Sequence, residues 1–415
     1  MSDVSIDSKT ATRKGWTVTF AGMGINLALG ILYTWSVFSK NIPAAWGWDE
    51  SMKSLPYMFM CLVFSLVMIP AGRMQDKLGP RIVAAIGGVL VGLGFIIASF
   101  TQSLMGYIIG LGILAGSGIG FGYASCTPPA VKWFPASKTG LIAGLVVSGF
   151  GLASVYAAPV TRALINSLSI QSALLIWGIA FLVIVIGLSL LLKAPPAGFN
   201  ADEDKQKQSA DTVVKKVDYK PLAMLKTPQL YLIWFMYFCG AGAGLMFIGK
   251  LATIASEQAN ISLGFVLVIL LAVGNGGGRI LAGMISDKIG RKSTMLIFLG
   301  FQAVLIFLLS LVKTGSILAN PVIMAIMSMC IGANYGSNLA LFPAITKDFY
   351  GLKNFGINYG IVFTAWGVAG FLLSLLLGKI RDITGQFTIA YYVMAGLLVI
   401  AAVMVFFLKP PKRSE

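Results

Sequence analysis

The sequence predicts an all-α integral membrane protein that crosses the bilayer about twelve times. Three observations carry this reading. Of the 415 residues, 57% are hydrophobic and 11% are charged, whereas a soluble domain carries roughly 25% charged residues. The apolar residues fall in runs of about 20, the length that crosses ~30 Å of hydrocarbon as a helix. Those runs are continuous rather than alternating, which excludes the strands of a transmembrane barrel.

In order, the spans read 16–38, 51–72, 81–100, 104–126, 138–160, 169–192, 228–250, 259–285, 293–313, 318–341, 354–378 and 387–408. The first is too long for the apolar core of a signal peptide, and no small-residue cleavage site follows it, so it is expected to stay as a membrane helix. Between the sixth and seventh spans the pattern breaks into a polar stretch opened by Pro195 and Pro196. The predicted organisation is a six-helix bundle over 1–192, a cytoplasmic linker over 193–226, and a second six-helix bundle over 227–415.

The net charge of +16 would suggest nucleic acid on a soluble protein. Here it describes topology. With the N-terminus inside, 23 of the 31 basic residues fall in cytoplasmic segments, seven fall outside, and Arg279 alone lies within a span. That asymmetry follows the positive-inside rule and predicts both termini in the cytoplasm. No nucleic-acid partner is expected; the bilayer is the large partner.

The chain has no histidine. This removes His-based triads, His metal ligands and His proton relays together. The four cysteines, Cys61, Cys126, Cys239 and Cys330, lie in apolar runs with no CxxC pair, so they read as small core residues. No metal, no cofactor and no enzymatic site are predicted.

A motif repeats at half-chain spacing. Gly72-Arg-Met-Gln-Asp76-Lys77-Leu-Gly79-Pro-Arg81 follows the second span, and Gly283-Met-Ile-Ser-Asp287-Lys288-Ile-Gly290-Arg291-Lys292 follows the eighth. The two aspartates are 211 positions apart. Glycines at such turns permit close approach and tight reversal, and an aspartate there can face a helix N-terminus and nearby cations. Gly72, Asp76, Lys77, Gly79 and Arg81, with Gly283, Asp287, Lys288, Gly290 and Arg291, therefore read as a paired conformational latch.

With this repeat and its six-plus-six layout, the chain resembles the major facilitator superfamily over essentially its full length. The resemblance implies two six-helix bundles around a midplane site, working by rocking alternating access. Finer features narrow it. Tyr33-Thr-Trp35-Ser, Lys132-Trp133-Phe134-Pro135, Asn275-Gly-Gly-Gly-Arg279, Leu341-Phe342-Pro343 and Asn358-Tyr359-Gly360 are similar to the oxalate/formate antiporter family, itself related to the monocarboxylate transporters. That implies a bacterial inner-membrane transporter, monomeric as a functional unit, for a small carboxylate such as lactate, moved with H+. Carboxylate exchange of the oxalate/formate type is the alternative.

Arg279 is the residue on which this reading turns. A mid-helix arginine costs at least ~2.5–3.5 kcal/mol to insert. It lies only four residues before Gly283, so snorkelling to the membrane surface competes with a functional role. The resemblance places a substrate-binding arginine here, and a guanidinium can grip a carboxylate with two parallel hydrogen bonds. The three glycines before it are expected to admit a close ligand or helix. The oxalate-exchanging members carry a second cation, a lysine, where alignment on Asn358-Tyr359-Gly360 places Trp366 here. One cation balances one carboxylate, and a dicarboxylate would leave a buried charge unpaired; a monocarboxylate is expected.

Around Arg279 the expected pocket adds Asn275, Tyr33, Tyr123, Tyr335, Asn338, Phe363 and Trp366, with Leu32, Leu145 and Leu339 as apolar contacts. Asn334 shares a helix face with Asn338. Trp46, Trp48 and Trp133 are expected in the interfacial belt. The animal monocarboxylate transporters carry an aspartate at the position of Asn275, which cannot titrate. With the acids outside the membrane core, the proton routes left are the substrate carboxyl itself or an end group such as Glu257 or Lys250.

Overall fold

The computed structural model describes residues 8–196, 199, 218–260 and 264–411. Among the described residues, twelve helices are long and apolar enough to cross a membrane. They are numbered α1 (Thr10–Lys40), α2 (Met52–Leu78), α3 (Pro80–Ser99), α4 (Leu104–Lys132), α5 (Thr139–Ser167) and α6 (Ile170–Ser189) in the first bundle. The second holds α7 (Pro228–Ile248), α8 (Val266–Ile289), α9 (Arg291–Leu309), α10 (Pro321–Tyr350), α11 (Phe355–Leu373) and α12 (Thr388–Phe407). Within hydrocarbon a backbone must satisfy its own polar groups, which is why apolar runs of this length resolve as helices.

Several helices run past the apolar windows read from sequence. α10 continues to Tyr350 rather than stopping near 341. Its end is held by side chains, Lys347 donating to Thr139 Oγ1 of α5 and the Tyr350 hydroxyl sharing a hydrogen bond with Thr227 at 2.9 Å, so tertiary contacts replace the bilayer there. Two helices change pitch inside the membrane. α1 tightens to a 3₁₀ turn at Gly30–Thr34, where all five residues are buried. α4 opens into a π-helical stretch at Ile108–Ala115 before returning to α-helix at Gly116–Lys132. Such irregular turns re-aim side chains and recur at functional positions; here the first contains Tyr33 and the second precedes Tyr123.

The bundles meet mainly along α2 against α11 and α5 against α8. Small residues set the approach. A Cβ on Gly72 would overlap the Gly356 carbonyl, and one on Gly283 would overlap the Gly140 carbonyl. Where helices associate without a hydrophobic driving force, such backbone-to-backbone contacts dominate.

Most of the expected linker, residues 197–198 and 200–217, lies outside the described residues. The chain re-enters at Asp218, whose carboxylate accepts the backbone N–H groups of Leu352 and Lys353, both at 2.9 Å. The Tyr219 N–H donates to the Tyr350 carbonyl at 3.0 Å. The Tyr219 carbonyl accepts the side-chain amides of Asn354 and Asn358, both at 3.1 Å. Its ring meets that of Tyr350 edge-on at 5.5 Å. This strap fixes the turn between α10 and α11. Tyr219→Ala removes a buried ring worth ~3 kcal/mol and is expected to lower the thermal midpoint of the detergent-solubilised protein by several degrees. An unchanged midpoint would show that the strap holds nothing.

Candidate functional site

The sequence Asn275-Gly-Gly-Gly-Arg279 occupies α8 at mid-helix. The spacing of four places Asn275 and Arg279 on one face, and the Arg279 Nε donates to Asn275 Oδ1 at 3.0 Å. Arg279 Nη1 reaches across to the Val147 carbonyl of α5 at 2.5 Å. Nη2 is buried and makes no hydrogen bond of good geometry among the described residues; the Tyr33 hydroxyl lies beside the guanidinium. The guanidinium carbon lies 5.9 Å from the centre of the Phe150 ring, within cation–π range.

Arg279 is fully buried at 0% exposure, so it does not snorkel. Among the described residues no carboxylate pairs with it, and the buried charged side chains are Arg279 and Lys347. Lys347 sits near the end of α10 and donates to Thr139 Oγ1. Asn275 orients the guanidinium without neutralising it. The result is a desolvated positive charge with one arm unspent, which is costly unless an anion completes it.

The glycines divide their work. A Cβ on Gly276 would strike Leu152 of α5, and one on Gly278 would strike the Ala333 backbone of α10. Two of the three thus admit neighbouring helices, and Gly277 faces open space.

Above the guanidinium lies an aromatic roof. The Tyr33 and Tyr335 hydroxyls share a hydrogen bond at 2.5 Å, and Trp366 Nε1 donates to the Tyr335 hydroxyl at 2.8 Å. Tyr33 meets Phe150 edge-on at 5.2 Å. Phe363 stacks on Trp366 at 5.3 Å and touches Tyr123 at 5.4 Å. Residues from α1, α4, α8, α10 and α11 therefore converge, drawn from both bundles.

Sequence reasoning missed Phe64 and Phe150. Phe64 of α2 contacts Tyr123, Phe150, Phe363 and Trp366, so with Phe363 it ties the roof together. Nothing local distinguishes these two from the other phenylalanines among 26 in the chain.

The remaining expected contacts are less central. Asn338 donates to its own helix at the Asn334 carbonyl at 2.9 Å, and its Oδ1 faces Gly240. Its amide is therefore turned to α7 and to its own helix, with no hydrogen bond to Arg279. Leu32 and Leu339 are buried, and Leu145 is half-buried. Trp133 corrects the belt expectation. It is buried, its Nε1 donates to the Lys193 carbonyl at 2.8 Å, and its ring packs on Phe199. Trp46 and Trp48 pack against Tyr107. The side chains of Lys250 and Glu257 lie outside the described residues.

The repeated motif lies at the end of the molecule where α1 begins and α12 ends. Asp287, at the end of α8, accepts the backbone N–H groups of Gly140 and Leu141, at 3.1 and 3.0 Å, where α5 begins. Arg291 braces Asp287 at 2.6 Å and Asp348 at 2.8 Å. Asp76, at the end of α2, faces the first turn of α11 at Gly356 and Ile357, with Lys132 and Arg73 nearby. Each aspartate thus addresses the N-terminus of a helix in the opposite bundle, where exposed N–H groups favour an anion. Gly79 and Gly290 take φ of +84° and +86°, a region that L side chains avoid, and turn the chain sharply. Arg81 Nη2 donates to the Leu190 carbonyl at 2.6 Å, inside its own bundle. Lys77 and Lys288 are exposed and leave the interlock to the other members.

Two six-helix bundles packed about a buried polar centre define a membrane transporter of the major facilitator kind. The chain belongs to the Major Facilitator Superfamily, whose model matches residues 15–372 and, in a second match, 267–415. It is 28% identical over 364 residues to the MFS-type transporter YhjX of Escherichia coli, covering 86% of each chain. It is 28% identical to the oxalate:formate antiporter of Oxalobacter formigenes, over 82% of this chain and 78% of that one. Human monocarboxylate transporter 11 is 25% identical over 94% of this chain and 82% of its own length. In fold the chain is similar to the crystal structure of the transporter FucP in the outward conformation, with a TM-score of 0.65 and 16% identity, covering 94% and 98% of the two chains.

Proposed function

We propose that this protein is a secondary transporter of small monocarboxylates, L-lactate or pyruvate among them, acting as a monomer in a bacterial inner membrane with both termini in the cytoplasm. One observation carries the reading: a fully buried, uncompensated Arg279 whose Nη2 makes no hydrogen bond of good geometry among the described residues, beneath the Tyr33–Tyr335–Trp366 roof. A carboxylate oxygen at Nη2 completes the guanidinium and cancels its charge. The hydroxyls of Tyr33 and Tyr335 lie ready for the second oxygen or a substrate hydroxyl once their mutual hydrogen bond opens. The names of the related oxalate:formate and monocarboxylate transporters support the substrate class.

In this reading the motif-bearing face is cytoplasmic, and the Asp76 and Asp287 contacts hold it shut. Release requires both to open, so alternating access is a rocking of the bundles about the α2–α11 and α5–α8 seams. Proton coupling fits the charge arithmetic, because an anion moving alone against a negative interior needs a compensating cation. The oxalate:formate relative supports a second reading, obligatory exchange, in which an outgoing anion supplies that balance. Proteoliposomes separate them. Under an inward proton gradient with no internal anion, labelled L-lactate should accumulate. Uptake that appears only with internal anion would overturn symport, and no uptake of any small carboxylate in either format would overturn the substrate class.

Trp366 sets the expected selectivity. It is fully buried between Phe64 and Phe363 and brings no charge. Trp366→Lys is expected to shift the oxalate-to-lactate ratio of transport towards oxalate by about tenfold, the worth of ~1.4 kcal/mol. A ratio equal to that of the unaltered protein would contradict charge matching as its basis.

A further inference from the structure

Below the aromatic roof lies a cluster of three tyrosine hydroxyls, of which the expected Arg279 pocket counted only Tyr123. Tyr123, Tyr237 and Tyr359 are 2%, 0% and 3% exposed. All three hydroxyls are buried, and none makes a hydrogen bond of good geometry among the described residues. They stand together: the rings lie 5.4, 6.1 and 5.7 Å from Phe363, and the Tyr359 hydroxyl neighbours those of Tyr123 and Tyr237. Buried polar groups are almost always satisfied; here the three hydroxyls reach one another without good hydrogen-bond geometry, so an anionic oxygen among them would be a better acceptor than a neighbouring phenol.

The layer has a definite depth. Val147, which holds the guanidinium, is seven residues from the Gly140 contact, or ~10 Å along the helix. Tyr359 is three residues from the Gly356 contact, or ~4.5 Å, and helical side chains tilt towards their own N-terminus, here towards that contact. The Tyr359 hydroxyl therefore lies on the interlock side of the Arg279 head group, and Tyr123 and Tyr237 share its contact with Phe363. Phe363 separates them from the Tyr335–Trp366 layer. Tyr123 belongs to the first bundle, and Tyr237 and Tyr359 to the second, so the cluster exists only while the bundles are apposed at this level.

We infer that the hydroxyls of Tyr123, Tyr237 and Tyr359 form a second, uncharged station for the transported carboxylate, between Arg279 and the motif-bearing face. This rests on the monocarboxylate reading of Arg279. A phenol donates a hydrogen bond without carrying charge, so the station holds a carboxylate less tightly than a guanidinium does. That suits a waypoint. A ligand leaving Arg279 must exchange one set of donors for another, and without the station it would cross a buried apolar layer with its charge unsolvated. Separation of the bundles then disperses the three hydroxyls and frees the ligand.

The test uses the full-length protein, L-lactate as probe, and Tyr237→Phe, Tyr359→Phe and their combination, which keep the rings and delete the hydroxyls. Saturable L-lactate uptake by the unaltered protein, absent from Arg279→Gln, first establishes the underlying reading independently; without it that reading fails, and the station with it. Given that uptake, the double variant is expected to bind L-lactate with a Kd within about twofold of the original while its uptake rate falls about tenfold. Each single variant should lose about threefold in rate, so the inference stays testable if the double variant does not fold. An uptake rate equal to the original overturns the station, as does a Kd weakened in parallel with the rate, which would assign the hydroxyls to the Arg279 site. Density in this layer that holds only water when lactate saturates Arg279, together with unaltered rates, overturns it as well.

Discussion

Replacing Arg279 with glutamine is expected to abolish carboxylate binding and transport while leaving an inserted, folded protein. The side chain is fully buried, its Nε and Nη1 are committed to Asn275 and Val147, and its Nη2 makes no hydrogen bond of good geometry among the described residues. Removing one partner of a desolvated charge pair costs about 2–5 kcal/mol, which is at least thirtyfold in affinity. Glutamine keeps amide donors but has no charge to balance a carboxylate. The stability effect should run the other way. In the empty protein the charge is uncompensated, so its removal relieves a desolvation penalty. The ligand-free thermal midpoint of Arg279→Gln is therefore expected to equal or exceed the original, and added L-lactate should no longer raise it, since only a protein that binds ligand is stabilised by it. A variant that transports normally, or one that merely unfolds, would show that Arg279 is a structural residue.

Gly283→Val is expected to prevent closure of the motif-bearing face and to stop net transport. The Gly283 and Gly140 backbones touch, and a side chain at 283 would overlap the Gly140 carbonyl. The contact cannot relax by rotating a side chain, because backbone opposes backbone. It would also push Asp287 away from the Gly140 and Leu141 amides it now binds. Overpacking a tight contact costs about 1–3 kcal/mol. A two-state equilibrium shifts by the same amount, about 5- to 150-fold towards the conformation open at that face. Thr139, buried at the start of α5, reports the change. Thr139→Cys should react slowly with a maleimide reagent, and at least fivefold faster with Gly283→Val added. Equal reaction rates would mean that the interlock does not govern access. Asp287→Asn should give a milder version, since an amide still accepts from the α5 amides but loses its pairing with Arg291.

Much of the fold was readable because hydrocarbon imposes a simple rule. A span must be long, apolar and helical, and the twelve runs in the sequence meet that rule. The repeated Gly-x-x-x-Asp-Lys-x-Gly motif was readable because turns need glycine and helix N-termini attract aspartate, both local requirements. Arg279 stood out because a cation within a span is rare. What escaped was set by tertiary contact. The 3₁₀ turn at Gly30–Thr34 answers to α5, where Gly30 packs against Phe150 and Ala153. Phe64 matters for the rings it gathers, and phenylalanine in an apolar run carries no sign of its neighbours. Trp133 looked interfacial from its place at a helix end, but the chain after α6 folds back over it. Asp218 and Tyr219 lie at the edge of a polar stretch that reads as solvated linker, and only the α10–α11 turn reveals them as a strap.

One buried guanidinium facing one carboxylate is the centre of this account, and equilibrium binding tests it most directly. Isothermal titration of the purified protein with L-lactate and with oxalate, at one pH and ionic strength, compares a single with a double charge at the same site. Saturable L-lactate binding at one site per chain, lost in Arg279→Gln, with oxalate at least tenfold weaker, an advantage of ~1.4 kcal/mol, is the predicted result. Oxalate binding as tightly as L-lactate, or L-lactate binding that survives the loss of Arg279, would contradict it.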